Sequence, residues 1–168
     1  MTPCCRVQSF PDLLRESRVA MKREGDPKEI EIRLQIDLDP ETDFYYRQQF
    51  EIYHEPYLIW EWEVWEAILN TCEVYRIEVQ GKYAGDTVLE ERRRGTRYIV
   101  DFSLLPEFQG KGIGKTVLAE IRKRVRKLTA VTRKETLPFF LKSGFTLRRR
   151  LKDYYACGVD GYYIESIY

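Results

Sequence analysis

Histidine is almost absent from this chain: His54 is the only one in 168 residues. A Ser/His/Asp triad would have to rest on it, and no nucleophile elbow accompanies it. Cysteine is sparse, and Cys4, Cys5, Cys72 and Cys157 show neither C-x-x-C nor metal-ligand spacing. No metal is expected from them, and reduced thiols of a cytoplasmic protein are the expected reading. No apolar run is long enough to span a bilayer, and the first residues lack the apolar core of a signal peptide, so no membrane partner is expected. An excess of one charge is missing too. Lys plus Arg (28) nearly equals Asp plus Glu (27), which argues against a dedicated nucleic-acid binder. Repeats and low-complexity segments are also lacking, and the length suits one domain with a proper core.

What is present is unevenly placed. From Asp37 to Glu66 there are nine acidic residues and one basic residue, Arg47. From Lys115 to Lys152 there are thirteen basic residues against Glu120 and Glu135. Solvated faces are the plain reading of such runs. The sharper reading is an anionic ligand near the second half and a cationic ligand near the first.

Periodicity sets the element order. Residues 1–28 read as an N-terminal extension in which "FPDLLRESRVAM" suits a short amphipathic helix broken at Gly25-Asp26-Pro27, with Met21 an alternative first residue. In "EIEIRLQIDLD", Ile30, Ile32, Leu34, Ile36 and Leu38 alternate with polar residues, as in a half-buried strand. Residues 40–70 read as helical with an interruption at Pro56. "EVYRIEVQ" and "YAGDTVLEE" flank a Gly81-Lys82 turn as a hairpin, and "TRYIVDFSLL" is apolar enough for a central strand. A helix over 112–127, a strand "LTAVT", a short helix "KETLPFFLKS" and strands "FTLRRRL" and "GYYIESIY" complete the chain. Residues 29–168 thus form one α/β (α+β) domain, a mixed twisted sheet with helices on both faces.

The stretch "PEFQGKGIGKTVLAEI" has the look of a phosphate holder. A nucleoside-triphosphate loop would need glycine at position 109, which is Gln109. A dinucleotide fingerprint would need Gly or Ala at 115, which is Lys115. The feature common to both motifs survives: a strand enters a glycine-rich turn and then a helix, whose backbone N–H groups and positive dipole end favour an anion. The plainer alternative is a glycine-eased corner.

"LLPEFQGKGIGKTVLAEI" resembles the acetyl-CoA signature Q/R-x-x-G-x-G of the GNAT superfamily of N-acetyltransferases, here Gln109 to Gly114 after Leu104-Leu105-Pro106. The element order is similar to that fold as well, and Phe140-Leu141-Lys142-Ser143-Gly144-Phe145 resembles its second segment, Y-x-K-x-G-F. The resemblance implies acetyl-CoA as co-substrate, without a metal. Its pyrophosphate would lie on the amides of Gln109, Gly110, Lys111, Gly112, Ile113 and Gly114, with Lys115 beside them. Backbone groups of Leu104 and Leu105 would bond the pantetheine arm, the Leu105 amide would stabilise the oxyanion, and Phe139, Phe140 and Lys142 would flank the cofactor.

For catalysis, the resemblance points to Asp101 in "IVDFSLL" as the base, a carboxylate whose apolar strand would raise its pKa unless it is partnered. Glu51, Glu55 and Glu61 are alternatives, and a structural strand-end Asp is the bland one. Phe140 stands where many family members carry an acid Tyr, and the Asn often found before that helix is replaced by the region of Thr132 and Arg133. "KDYYACGVDGYYIES" is similar to the Y-Y-x-x-G-x-D-A loop of the protein N-terminal acetyltransferase branch, with Tyr154, Tyr155, Gly158 and Asp160 in register and Gly161 in place of Ala. That likeness implies an acceptor slot at Tyr154 and Tyr155, with the Tyr154 hydroxyl orienting the amine; a hairpin closed by two packed tyrosines is the alternative. Trp60, in the acidic aromatic segment, is the further acceptor-site candidate, because carboxylates beside aromatic faces favour a cation.

The expected function is acetyl transfer from acetyl-CoA to a primary amine, tilted towards a peptide or protein amine. A small-molecule amine and a non-catalytic acyl-CoA-binding module stay open. Nucleic acid is the least favoured partner, and a homodimer is left open.

Overall fold

The computed structural model describes residues 16–21 and 29–167. In chain order the elements are β1 (Glu16–Met21), β2 (Ile30–Asp37), α1 (Thr42–Ile52), a 3-10 turn at Pro56–Leu58, α2 (Trp62–Thr71), β3 (Glu73–Val79), β4 (Lys82–Arg93) and β5 (Thr96–Leu104). A second 3-10 turn at Pro106–Phe108 leads to α3 (Ile113–Arg122), β6 (Lys127–Thr132), α4 (Leu137–Lys142), β7 (Thr146–Ala156) and β8 (Val159–Ile167). The strands form one sheet in the order β1-β2-β3-β4-β5-β6-β8-β7. Every pairing is antiparallel except β5 with β6, which α3 connects. This is the mixed sheet flanked by helices that the periodicity implies.

Each face of the sheet has its own core. On one, Ile113, Val117, Leu118 and Ile121 of α3 and Phe140 of α4 pack on Ile32, Leu34, Ile77, Leu89, Ile99 and Leu128. On the other, Tyr45 of α1 and Trp65 and Leu69 of α2 cover Val74 and Val88. Burying each large apolar side chain contributes ~1.5–3 kcal/mol, so the four α3 residues hold the turn before that helix firmly against the sheet.

Two expectations change. Glu16–Met21 is a strand, not helix, and pairs with β2 from Glu16–Gln35 to Met21–Ile30. Its buried Ser17 donates to Glu120 of α3 at 2.8 Å. A six-residue window satisfies either periodicity, and the open edge of β2 decides for strand. The rest of "FPDLLRESRVAM" before Glu16, the Gly25-Asp26-Pro27 break, Cys4 and Cys5 lie outside the described residues. The helix expected over 112–127 ends at Arg122, although Val125 beyond it is still buried.

The site is prepared by an irregularity in β5. Val88 pairs with Asp101 and Leu89 with Ile99, so Val100 is an extra residue on the β5 side. Such a bulge bends its strand and re-aims the next side chain. On its other side β5 stays with β6 only from Thr96–Lys127 to Ile99–Ala130, and the two strands part beyond that point.

Candidate active site

The turn ahead of α3 follows from its glycines. Gly110 and Gly112 have φ of 68° and 80°, a left-handed conformation that side chains with a Cβ resist. A Cβ on Gly110 would meet nothing within 4 Å, so the turn presents bare backbone to the exterior. The first α3 ladder bond runs from Thr116 N–H to Gly112 C=O at 3.1 Å, so the amides of Ile113, Gly114 and Lys115 precede the ladder. Gly114 is buried for a different reason: a Cβ there would sit 3.1 Å from Phe139 Cζ. Ile113 gives its side chain to the core, leaving only its backbone for a ligand. Lys115 and Lys142 are exposed. This geometry suits a pyrophosphate: open left-handed turn, unpaired amides, positive helix end.

Two backbone roles expected from the sequence are corrected. The Leu105 N–H donates to Ala84 C=O at 2.8 Å, so it faces β4 and cannot stabilise an oxyanion in the gap. Backbone groups point alternately to the two sides of a strand, so Phe102 and Leu104, not Leu105, face the gap towards β6. The Gln109 N–H is likewise taken, by Pro106 C=O at 3.2 Å. Gln109 acts through its side chain instead, donating to Leu104 C=O at 2.7 Å and tying the turn to the end of β5.

Asp101 follows the bulge. Ile99 and Phe102 lie with the α3 core while Val100 packs with the α1–α2 core, and the extra residue puts Asp101 on that same α1–α2 side. There the Tyr53 hydroxyl, just past α1, donates to it at 2.7 Å. Burial raises the Asp101 pKa above the usual carboxylate range, opposed by hydrogen bonds from Tyr53 and Ser103. Asp86 of β4 is its diagonal neighbour, two residues from Val88, the cross-strand partner of Asp101. Asp86 is 3% exposed and receives the Tyr83 hydroxyl at 2.6 Å. Burial first, and the charge of Asp101 second, push its pKa well above the ordinary value.

A cavity of about 660 Å³ spans this region. Phe102, Phe139 and Phe140 line its end beside the glycine turn; Asp101 lies along the wall; Tyr57, Trp60, Tyr98, Tyr154 and Tyr155 line the remainder, with Glu90 and Arg92. Trp60 is held by Gln49, whose Oε1 accepts from the Trp60 N–H at 2.8 Å, and its ring stacks on Trp65. Arg133 pairs with Glu55 at 3.4 Å, linking the segment before α4 to that after α1. Phe140 is buried in contact with Phe102, Phe139 and Phe145, so its position offers no acid.

The β7–β8 hairpin delivers the tyrosine pair. Asp153 has a φ of 50°, and the bend around it is held by its N–H donating to Asp160 at 3.0 Å and by the Gly158 N–H donating to Asp153 at 2.7 Å. Arg150 also pairs with Asp160. Gly161 is required by contact: a Cβ there would lie 2.7 Å from Val131 Cγ1 and 2.8 Å from Tyr154 Cγ. The Tyr154 side chain therefore lies across bare β8 backbone, edge-on to Tyr155 at 4.9 Å, with the Tyr98 hydroxyl bonded to it. The Tyr155 hydroxyl donates to Val131 C=O at 2.9 Å, so Tyr155 is a fixed wall whose proton is already committed.

Asp101, Trp60, Tyr154, Tyr155, Phe139 and Phe140 thus share one cavity, whereas Glu51 and Glu61 are not among its lining residues. Sequence reasoning missed Asp86, Tyr98, Glu90 and Arg92. A signal existed for Asp86. The two-residue Arg94-Gly95 turn sets a register in which Arg93 faces Thr96, and Asp86 then falls diagonal to Asp101.

The sequence profile of the acetyltransferase (GNAT) family matches residues 30–145. No curated protein sequence matches the chain significantly. Among solved structures, a GNAT family acetyltransferase from Elizabethkingia anophelis with acetyl-CoA bound is similar at a TM-score of 0.65 and 18% identity, over 82% of this chain and 98% of its own. The ribosomal-protein-S18-alanine N-acetyltransferase of Escherichia coli gives 0.67 and 14%, over 81% and 93%. A spermidine N-acetyltransferase chimera built in part from the Vibrio cholerae enzyme gives 0.65 and 16%, over 81% and 95%. At these identities the likeness shows the fold.

Proposed function

The chain belongs to the GNAT acetyltransferase family, and from that premise we propose that it moves the acetyl group of acetyl-CoA to a primary amine, with a peptide or protein α-amine as the favoured acceptor. The observation that carries this reading is the position of Asp101, beside the point where β5 leaves β6 and between the phenylalanine end and the tyrosine-tryptophan end of one cavity.

Acetyl-CoA, as substrate, supplies an acyl carbon already activated as a thioester. The amides of Gly110 to Lys115 hold its pyrophosphate, and the gap-facing groups of Phe102 and Leu104 align its arm along β5. The Leu104 N–H takes the oxyanion role that the engaged Leu105 N–H cannot. Asp101 accepts one proton from the acceptor ammonium, leaving the lone pair that attacks. The C–N bond forms, the C–S bond breaks, and the second amine proton is available to the departing thiolate. The net products are the amide, coenzyme A and one proton. With no acid at Phe140, alignment of amine and thioester carries much of the acceleration.

The peptide preference is supported by the tyrosine hairpin: Tyr154 stands half-exposed at the wall while Tyr155 is anchored to Val131. A small cationic amine is the second reading, favoured by the Trp60 and Tyr57 rings and the Glu90 carboxylate in the same cavity.

The test is a mass-spectrometric acceptor screen. The full chain and its Asp101→Asn variant are incubated with acetyl-CoA and pooled free-N-terminal peptides, amino acids, polyamines and aminoglycosides. An acetylated peptide α-amine, formed about 10²–10⁴ times more slowly by Asp101→Asn, is expected. Products confined to small amines would replace the peptide reading. Acetyl-CoA binding without turnover of any amine would replace the enzyme with a binding module.

A further inference from the structure

The Asp86 carboxyl has no place in the chemistry described so far. It does not line the cavity, yet it is buried beside Asp101, which does. We propose that Asp86 is a positioning residue of the reaction: it holds a proton and donates it to Asp101, so that a carboxylic acid–carboxylate pair, not a lone carboxylate, receives the proton of the acceptor ammonium. This rests on Asp101 being the base.

The geometry has three parts. Asp86 and Asp101 are diagonal neighbours on one face of adjacent strands, and their carboxyls lie within hydrogen-bonding reach of each other. Each carboxyl has one oxygen committed to a tyrosine donor, Tyr83 on Asp86 Oδ2 at 2.6 Å and Tyr53 on Asp101 Oδ1 at 2.7 Å. The other oxygen of Asp86, Oδ1, is buried and meets no donor among the described residues. Two ionised carboxylates accept and cannot donate, so a proton on Asp86 Oδ1 is what turns the facing carboxyls into a bonded pair. The charged neighbours do not offset a second negative charge. Arg76 of β3 faces Asp86, but its guanidinium is spread over the Phe44 and Tyr83 rings at 5.0 and 5.2 Å, and its pull is weaker than burial. Tyr45 of α1 is bonded to Asp37, and the charge of Arg133 reaches Tyr53. Two carboxyls so close and so buried carry one proton between them.

The division of labour follows from the surroundings. The bond from Asp86 lowers the proton affinity of Asp101, whereas the same bond raises that of Asp86. The bond from Asp86 thereby works against the burial that raises the Asp101 pKa, alongside the Tyr53 and Ser103 hydroxyls. In the reaction the ammonium N–H bond breaks and its proton moves to Asp101, while Asp86 keeps its own. The pair then holds two protons and releases one to solvent after product leaves.

The experiment compares Asp86→Asn and Asp86→Leu with the full wild-type chain. Asn is a permanent neutral donor to Asp101 and acceptor from Tyr83, so the acidic limb of kcat/KM should keep its wild-type position. Leu removes the donor, and the limb should move up by about one pH unit, losing about tenfold activity below it. An Asn variant whose limb moves down by a unit or more would mean that Asp86 is ionised and overturns the proposal. A Leu variant with an unmoved limb would reduce Asp86 to packing. Infrared spectroscopy gives an arm independent of turnover and of the Leu variant's folding. A buried protonated-carboxyl C=O band should be present in wild type at neutral pH and absent from Asp86→Asn; its absence from wild type also overturns the proposal. Should Asp101→Asn retain full activity, the base assignment fails, while the infrared arm still decides whether the pair shares a proton.

Discussion

Replacing Gly161 by Ala tests the tyrosine wall with a single methyl group. The added Cβ would stand 2.7 Å from Val131 Cγ1, 2.8 Å from Tyr154 Cγ and 2.9 Å from Tyr154 Cβ, all well inside contact distance. Overpacking of this kind costs about 1–3 kcal/mol when neighbours cannot move. Val131 is held in β6 between β8 and the cavity, whereas Tyr154 is 48% exposed and free to swing outward. Swinging gives up its edge-on contact with Tyr155, worth about 0.5–1.5 kcal/mol, and its bond with the Tyr98 hydroxyl, worth about 0.5–1.5 kcal/mol. The expected loss is therefore about 1–3 kcal/mol by either route. Urea unfolding should show a lower midpoint at unchanged slope. In kinetics the acceptor KM should rise with the acetyl-CoA KM unchanged, because the glycine turn before α3 lies at the other end of the cavity. In a Tyr154→Ala background the destabilisation should shrink, since the Cγ contact vanishes with the ring and only the Val131 Cγ1 and Cβ contacts stay. Equal stability and equal acceptor KM in Gly161→Ala would refute the placement of Tyr154.

Gly112→Asp should cost at least tenfold in acetyl-CoA affinity by calorimetry. It imposes a side chain on a φ of 80°, at about 1 kcal/mol, and sets a negative charge at the amides proposed for the pyrophosphate. Undiminished affinity would remove the pyrophosphate from this turn. Gln49→Ala leaves the Trp60 N–H without its 2.8 Å acceptor, a loss of about 1–3 kcal/mol that should appear in denaturant midpoints together with a raised acceptor KM. A changed midpoint with an unchanged KM would confine Trp60 to packing.

Much of this was legible in one dimension. The alternation from Ile30 to Leu38 and the apolar stripe of α3 report burial directly, because each period belongs to one kind of element. The turn from Gln109 to Gly114 was legible for the same local reason: left-handed backbone and a helix start are encoded by neighbouring residues. Asp101 was picked out through the family resemblance, by its place in the apolar strand just ahead of the glycine turn. Its partner was not, although Asp86 is an acid in an equally apolar strand, because a carboxyl pair exists only once a register is fixed. β1 was misread since six residues carry too little pattern to separate helix from strand.

The amino-acid sequence by itself determined the element order, the helix-and-sheet architecture and the glycine turn before α3, all of which depend on residues close in the chain. The tertiary structure alone decided which way the chemistry points. An extra residue at Val100 turns Asp101 from the α3 core towards Tyr53 and Asp86. The pairing of the Leu105 N–H with Ala84 hands the gap-facing role to Leu104, and the bare backbone at Gly161 lets Tyr154 reach the cavity. Each depends on contacts between strands far apart in the chain, and a shift of one residue in register would reverse every one of them.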